Sequence, residues 1–196
     1  MRGSRRFSQA ISEGDGISLL ADVAAADAAR TAEAAGAEGV VVRGAVVGLR
    51  EATGLPILWC VPGSVEHARI DGADAYLLVA GAYEDDDGRL EQVYEQAVES
   101  GLDCVVAVSD ENELQLVLDR VDPEVLLLPG RGDDEESPLA VVLGLLADVP
   151  VGKLVVAELE RLEPEDLAEL ERAGTDAVIV SAGDVSRLLG SEPVEV

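Results

Sequence analysis

Apolar and polar positions alternate along this chain in blocks rather than residue by residue. Runs of Val, Leu, Ile and Ala begin near Ile17, Val40, Leu55, Ala75, Leu102, Val125, Leu154 and Ala177, and each gives way to a loop of Gly, Asp or Pro and then to a helix-type stretch. The runs lack a period of two, which is the pattern of strands buried on both faces. Helices lying between strands demand a parallel sheet, because parallel neighbours need a crossover connection. Eight such units over residues 1–196 predict an α/β fold, a single compact (βα)8 TIM barrel with a parallel eight-stranded sheet.

A local formula recurs where helix passes into strand: Gly36-Ala37-Glu38, Gly72-Ala73-Asp74, Gly101-Leu102-Asp103 and Gly174-Thr175-Asp176. The glycine suits a left-handed C-cap. Ahead of the first strand, Arg5 to Glu13 reads as a short N-terminal helix with Phe7, Ala10 and Ile11 on one face, placed to plug the barrel bottom. After the fourth strand, Leu90, Val93, Tyr94, Ala97 and Val98 form one helical stripe. Asp110 with Glu113 suggests a capping box, and Pro164 with Glu165 and Asp166 a typical first helical turn. The stretch from Ala45 to Thr53 leaves room for barely two turns.

Composition narrows the functional classes. A hydrophobic content of 48% is ample for a core, whereas a barrel of this type takes about 250 residues, so 196 residues imply trimmed loops. The formal charge is −26, from 40 acids against 14 bases. Phosphate backbones and anionic lipid need a positive face, so nucleic acid and membrane are poor partners. Two cysteines, with no signal peptide and no long apolar segment, point to a reduced cytoplasm. One histidine and scattered cysteines show no metal site, and no cofactor motif is present. The acidic loops Asp85-Asp86-Asp87-Gly88 and Gly132-Asp133-Asp134-Glu135-Glu136 follow strands and so belong to the rim, where active sites of this fold lie. The first lacks the alternating spacing of a calcium loop.

The chain resembles the indole-3-glycerol phosphate synthase family through Phe7 to Gly14, Leu20-Ala21-Asp22-Val23, Thr53-Gly54-Leu55-Pro56-Ile57-Leu58, Gly101-Leu102-Asp103 through Ser109-Asp110-Glu111, and Glu163-Pro164-Glu165-Asp166-Leu167 through Gly174-Thr175-Asp176-Ala177-Val178. Enzymes of that family close and decarboxylate a phosphorylated anilino-sugar to make the indole ring in tryptophan biosynthesis. The resemblance implies a general-acid lysine after strand three, a lysine and a glutamate after strand one, glutamates after strands five and seven, and an asparagine after strand six. Here those places hold Cys60, Ala24 with Asp22, Ala107 and Glu158, and Pro129. Lys153, the only lysine, precedes strand seven at the barrel bottom, so none reaches the mouth. Where the family grips phosphate after strands seven and eight, this chain has Leu159-Glu160 and Ser181-Ala182-Gly183-Asp184, with an acid beside each turn.

Glu158 and Asp22 are therefore the candidate catalytic residues, and Ser181, Gly183, Arg131 and Cys60 the candidate substrate-binding ones. Cys60 reads as a packing thiol or a nucleophile, although His67 lies on the helix after strand three and offers it no base. Cys104 lies deeper and reads as core. Trp59 and Tyr83 stand near strand ends, to pack against helices or to line a pocket. Two functions remain open: a nominal indole-3-glycerol phosphate synthase with activity very low or lost, or a non-catalytic barrel taking a small-molecule ligand or partner at its mouth.

Overall fold

The computed structural model describes residues 7–14, 16–61, 65–83, 88–131 and 137–190. The strands are β1 (Ser18–Asp22), β2 (Gly39–Val42), β3 (Ile57–Trp59), β4 (Ala75–Val79), β5 (Asp103–Ala107), β6 (Val125–Pro129), β7 (Leu154–Glu158) and β8 (Ala177–Ser181). The helices are α1 (Phe7–Ser12), α2 (Ala26–Ala35), α3 (Leu49–Ala52), α4 (Val65–Ile70), α5 (Arg89–Glu99), α6 (Glu111–Arg120), α7 (Pro138–Leu146), α8 (Pro164–Ala173) and α9 (Val185–Leu189). All neighbouring strands are parallel, and pairing of β8 with β1, from Ser18 opposite Ala177 to Asp22 opposite Ser181, closes the barrel.

The apolar runs fail to alternate because both strand faces are covered. Leu20, Val41, Leu58, Val105, Leu127, Val156 and Ile179 meet inside the barrel. Their chain neighbours Leu19, Val40, Ile57, Val106, Leu126, Val155 and Val178 pack outward against the helices. Trp59 and Cys104 belong to that outer layer, so Trp59 supports helices and does not line the mouth. Tyr83, in a 3-10 turn at Ala80–Tyr83, is half-buried against the same layer.

The recurrent Gly formula has a tertiary purpose as well as a local one. Gly36, Gly72, Gly101 and Gly174 have φ of 101°, 76°, 79° and 94°, a region in which a Cβ is strained. The acid two residues on reaches sideways in two of the four cases. Asp74 accepts from the Ile57 N–H at 2.9 Å and Asp176 from the Val155 N–H at 2.7 Å, each securing the start of the preceding strand. Asp103 accepts instead from Ser8 N–H and Oγ–H at 2.9 and 3.0 Å. That grip holds α1 under the barrel with Phe7 and Ile11 buried in the interior cluster. Burying a phenylalanine side chain stabilises by about 1.5–3 kcal/mol, which suits α1 as the bottom plug.

Four local expectations change. The Ala45–Thr53 stretch makes a single turn, α3, because Gly48 enters it at φ 74°. On α5, Leu90 and Ala97 are buried, but Val98 faces solvent. At the start of α6, Asp110 accepts from Glu113 N–H, whereas Glu113 reaches back to Ser109 N–H, one residue before the cap. Pro56, with no N–H to give the ladder, delays β3 to Ile57. The acidic segments 85–87 and 132–136 lie outside the described residues.

Candidate functional site at the barrel mouth

The inward face of each strand continues past the apolar interior to one last residue at the C-terminal end, because alternate residues share a face. Two positions beyond Leu20, Val41, Leu58 and Val156 stand Asp22, Arg43, Cys60 and Glu158. Arg43 joins them. Its Nε donates to Asp22 Oδ2 at 2.6 Å, and its Nη2 donates to Glu158 Oε1 across the opening. Two carboxylates far apart in sequence are thus brought together by a guanidinium absent from the candidates read off the sequence. The sequence signal was available: Arg43 is the basic residue two positions past the inward Val41.

The electrostatics follow from this cluster. Burial works against the Arg43 charge, but the hydrogen bond to Asp22 and the pull of Glu158 and Asp22 outweigh it and hold the guanidinium above its ordinary value. Burial pushes the Cys60 thiol up to about 12; Arg43 pulls it back, while Glu158 and Asp22 push it further. Cys60 is therefore a neutral thiol at physiological pH and packs against the interior cluster. Ala107 and Pro129 complete the neighbouring strand ends without a titratable group.

Ser181 and Gly183 sit at a second feature, the turn between β8 and α9. Ser181 Oγ donates to Asp184 Oδ2 at 2.8 Å. Arg187 donates through Nε to Asp184, through Nη1 to Glu163 and through Nη2 to the Leu162 carbonyl, at 3.1, 3.1 and 2.9 Å. The bonds from Ser181 and Arg187 hold the Asp184 carboxyl below its ordinary value. A cleft of about 110 Å³ lies among these groups. Arg131 is exposed just beyond β6, and the structure does not bring it into the Asp22–Arg43–Glu158 cluster. Lys153 donates to Asp122 at 2.5 Å, next to the start of β7 and opposite the mouth. His67 is on α4, away from Cys60. Among the described residues, no group of three or more His, Cys, Asp or Glu is arranged to hold a metal ion, and no helix is long and apolar enough to cross a membrane.

The scaffold that carries this mouth has known relatives, although no family model matches the chain. It is 35% identical over 120 residues to the indole-3-glycerol phosphate synthase of Shouchella clausii, covering 61% of this chain and 46% of that protein. It is 30% identical over 142 residues to the protein of that name from Lachnospira eligens, covering 67% and 52%. Over 201 residues it is 26% identical to the one from Halalkalibacterium halodurans, covering 90% and 77%.

Much of the chain is thus similar in sequence to the indole-3-glycerol phosphate synthases.

Its match spans about half the length of the first of these relatives. The one-turn α3 within a closed parallel barrel is in keeping with that partial coverage.

Proposed function

We propose that this chain is an indole-3-glycerol phosphate synthase-type barrel whose ring-closing activity is very low or lost, and that it serves as a binding barrel with a small-molecule site at the mouth. The observation that carries this reading is Arg43. Ring closure needs a group that gives a proton to a departing hydroxyl while it faces an anionic substrate. The cation in this mouth is a guanidinium, which stays protonated throughout the physiological range. It is also committed to two carboxylates, so the cluster of Asp22, Arg43 and Glu158 carries net negative charge.

The remaining groups point the same way. Cys60 stands where the resemblance puts the family's general-acid lysine, and its neutral thiol carries no positive charge, with His67 away on α4. Glu158 retains the family's carboxylate but is bonded to Arg43. At the turn after β8, where barrel enzymes often bind phosphate through backbone N–H groups, Ser181 and Arg187 already serve Asp184. The carboxylate of Asp184 takes the Ser181 hydroxyl and one Arg187 N–H and sets a negative charge beside that turn. A cytoplasmic setting agrees with this reading.

The test is a turnover assay with the phosphorylated anilino-deoxyribulose substrate, followed by indole fluorescence. No product above background is expected, since losing one general acid costs about two to four orders of magnitude in rate. Ala24→Lys with Cys60→Lys should restore feeble turnover at most, because the Asp184 contacts remain. Growth of a tryptophan auxotroph lacking the enzyme, supported by this chain, would overturn the proposal.

A further inference from the structure

The barrel mouth is divided by charge. On the inward faces, Glu158 of β7, Ser181 of β8, Asp22 of β1 and Arg43 after β2 form one continuous polar arc. Ser181 stands opposite Asp22 in the β1–β8 register. The facing arc, from β3 to β6, ends in Cys60, Val79, Ala107 and Pro129, none of them charged. Beneath it the interior is open. Val41, Leu127 and Ile179 of the interior cluster are 0%, 1% and 3% exposed, whereas Leu77 on β4, packed on the same cluster, stays partly exposed. Above Leu77 stand only the Cys60 thiol, the Ala107 methyl and Val79, which is itself 47% exposed. Protein interiors are close-packed, so a wet leucine inside the barrel marks space that the chain does not fill.

Resting on the reading of the mouth as a small-molecule site, we propose that its ligand is a small primary amine with an alkyl or aryl tail, the ammonium on the polar arc and the tail over Leu77. Charge selects the head group. Two carboxylates face one guanidinium, so the arc keeps an excess negative charge. Arg43 takes Oδ2 of Asp22 and Oε1 of Glu158, and among the described residues Oδ1 and Oε2 have no donor. An ammonium brings three donors and no acceptor, which suits oxygens that can only accept. A phosphate or carboxylate head group would meet those same acceptors and a guanidinium already committed, on a chain whose charge of −26 repels it. The recess selects the tail. An apolar group there displaces water from Leu77 and Val79, which is favourable in proportion to the area covered. A wholly polar amine would leave both wet, and a neutral apolar molecule would leave the two carboxylate oxygens without a donor.

Amide chemical-shift titration of the full chain by NMR, with 2-phenylethylamine, 2-phenylethanol and 3-phenylpropionate as probes, separates head group from tail. The expected result is saturable shifts at the strand ends, with the amine bound at least about tenfold more tightly than the alcohol, because its hydrogen bonds are charge-assisted. Added sodium chloride should weaken the amine and leave the alcohol unmoved. Glu158→Gln should weaken the amine severalfold without changing the alcohol. Val79→Ser, at an exposed position where folding is unaffected, should weaken both. An amine that shows no saturable binding would overturn the proposal, and so would amine binding indifferent to both substitutions. Tighter binding of 3-phenylpropionate than of the amine would overturn it while leaving the mouth a small-molecule site. Turnover of the phosphorylated anilino-deoxyribulose substrate, by contrast, would overturn the reading of a binding barrel itself.

Discussion

Replacing Arg43 by methionine removes the charge at the centre of the mouth while keeping most of the side-chain length. The side chains of Arg43, Asp22 and Glu158 are 42%, 33% and 27% exposed, so water screens both bridges. Taken singly, such bridges contribute about 0.2–1 kcal/mol each. The substitution also leaves two carboxylates facing a shared space without a cation, which adds repulsion to the lost attraction. Together these give a loss of about 1–2 kcal/mol, or roughly 2–8 °C in melting temperature for a domain of this size. Equilibrium urea unfolding and calorimetry at moderate salt measure it. Arg30→Met, which breaks the far more exposed pair with Asp27, is the comparison and should cost under about 0.5 kcal/mol. Adding Asp22→Asn and Glu158→Gln to Arg43→Met should recover most of the loss, because no unpaired carboxylate then remains. An Arg43→Met protein as stable as its parent, or a loss no larger than that of Arg30→Met, would refute the view that Arg43 holds the mouth together.

Alkaline pH should destabilise the fold through its two thiols. Cys60 and Cys104 are both pushed up to about 12 by burial, against about 8.5 in an unfolded chain. A pKa raised by folding gives stability that is complete below pH ~8.5 and lost toward pH 12, at about 1.4 kcal/mol per pH unit for each thiol. Urea unfolding between pH 8 and 10.5 should show that slope, and Cys60→Ala with Cys104→Ala should flatten it; an unchanged slope contradicts the assignment. Gly101→Ala should cost about 1 kcal/mol by equilibrium unfolding, entirely from its φ of 79°, since its Cβ would meet nothing within 4 Å. No measurable cost would mean the C-cap conformation is not required. The melting temperature should rise between about 20 mM and 200 mM sodium chloride as screening relieves the repulsion among 40 acids. A flat or falling curve contradicts that repulsion.

Much of the barrel could be read without coordinates. Seven of the eight strands begin within one residue of where the apolar runs begin, and Ala75, Val125, Leu154 and Ala177 coincide. The reason is local: glycines that favour positive φ end the helices, and uninterrupted apolar stretches admit no half-exposed alternative. Misses came where a tertiary contact outweighed local pattern. Val98 fits the α5 stripe by spacing but lies beyond the edge of the sheet-facing surface. The Glu113 side chain accepts from the Ser109 N–H and not from that of the Asp110 cap. Trp59 stands at a strand end, yet an odd rather than even step from the inward Leu58 turns it to the helices.

The sequence by itself determined the class of fold, the plug at Phe7, and the lack of any lysine near the strand ends, because these depend on composition and periodicity alone. It could also place Asp22, Cys60 and Glu158 on the inward face, since alternation along a strand is a local property. Only the tertiary structure decided what those residues do to one another. Asp22 and Glu158 are 136 positions apart, and closing β8 onto β1 brings both within reach of a single guanidinium on β2's end. Ser181 gives its hydroxyl to Asp184, a choice among partners set by the turn geometry and by Arg187. Charge and hydrogen bonding act through space over a few ångströms, and that distance is fixed by closure of the barrel.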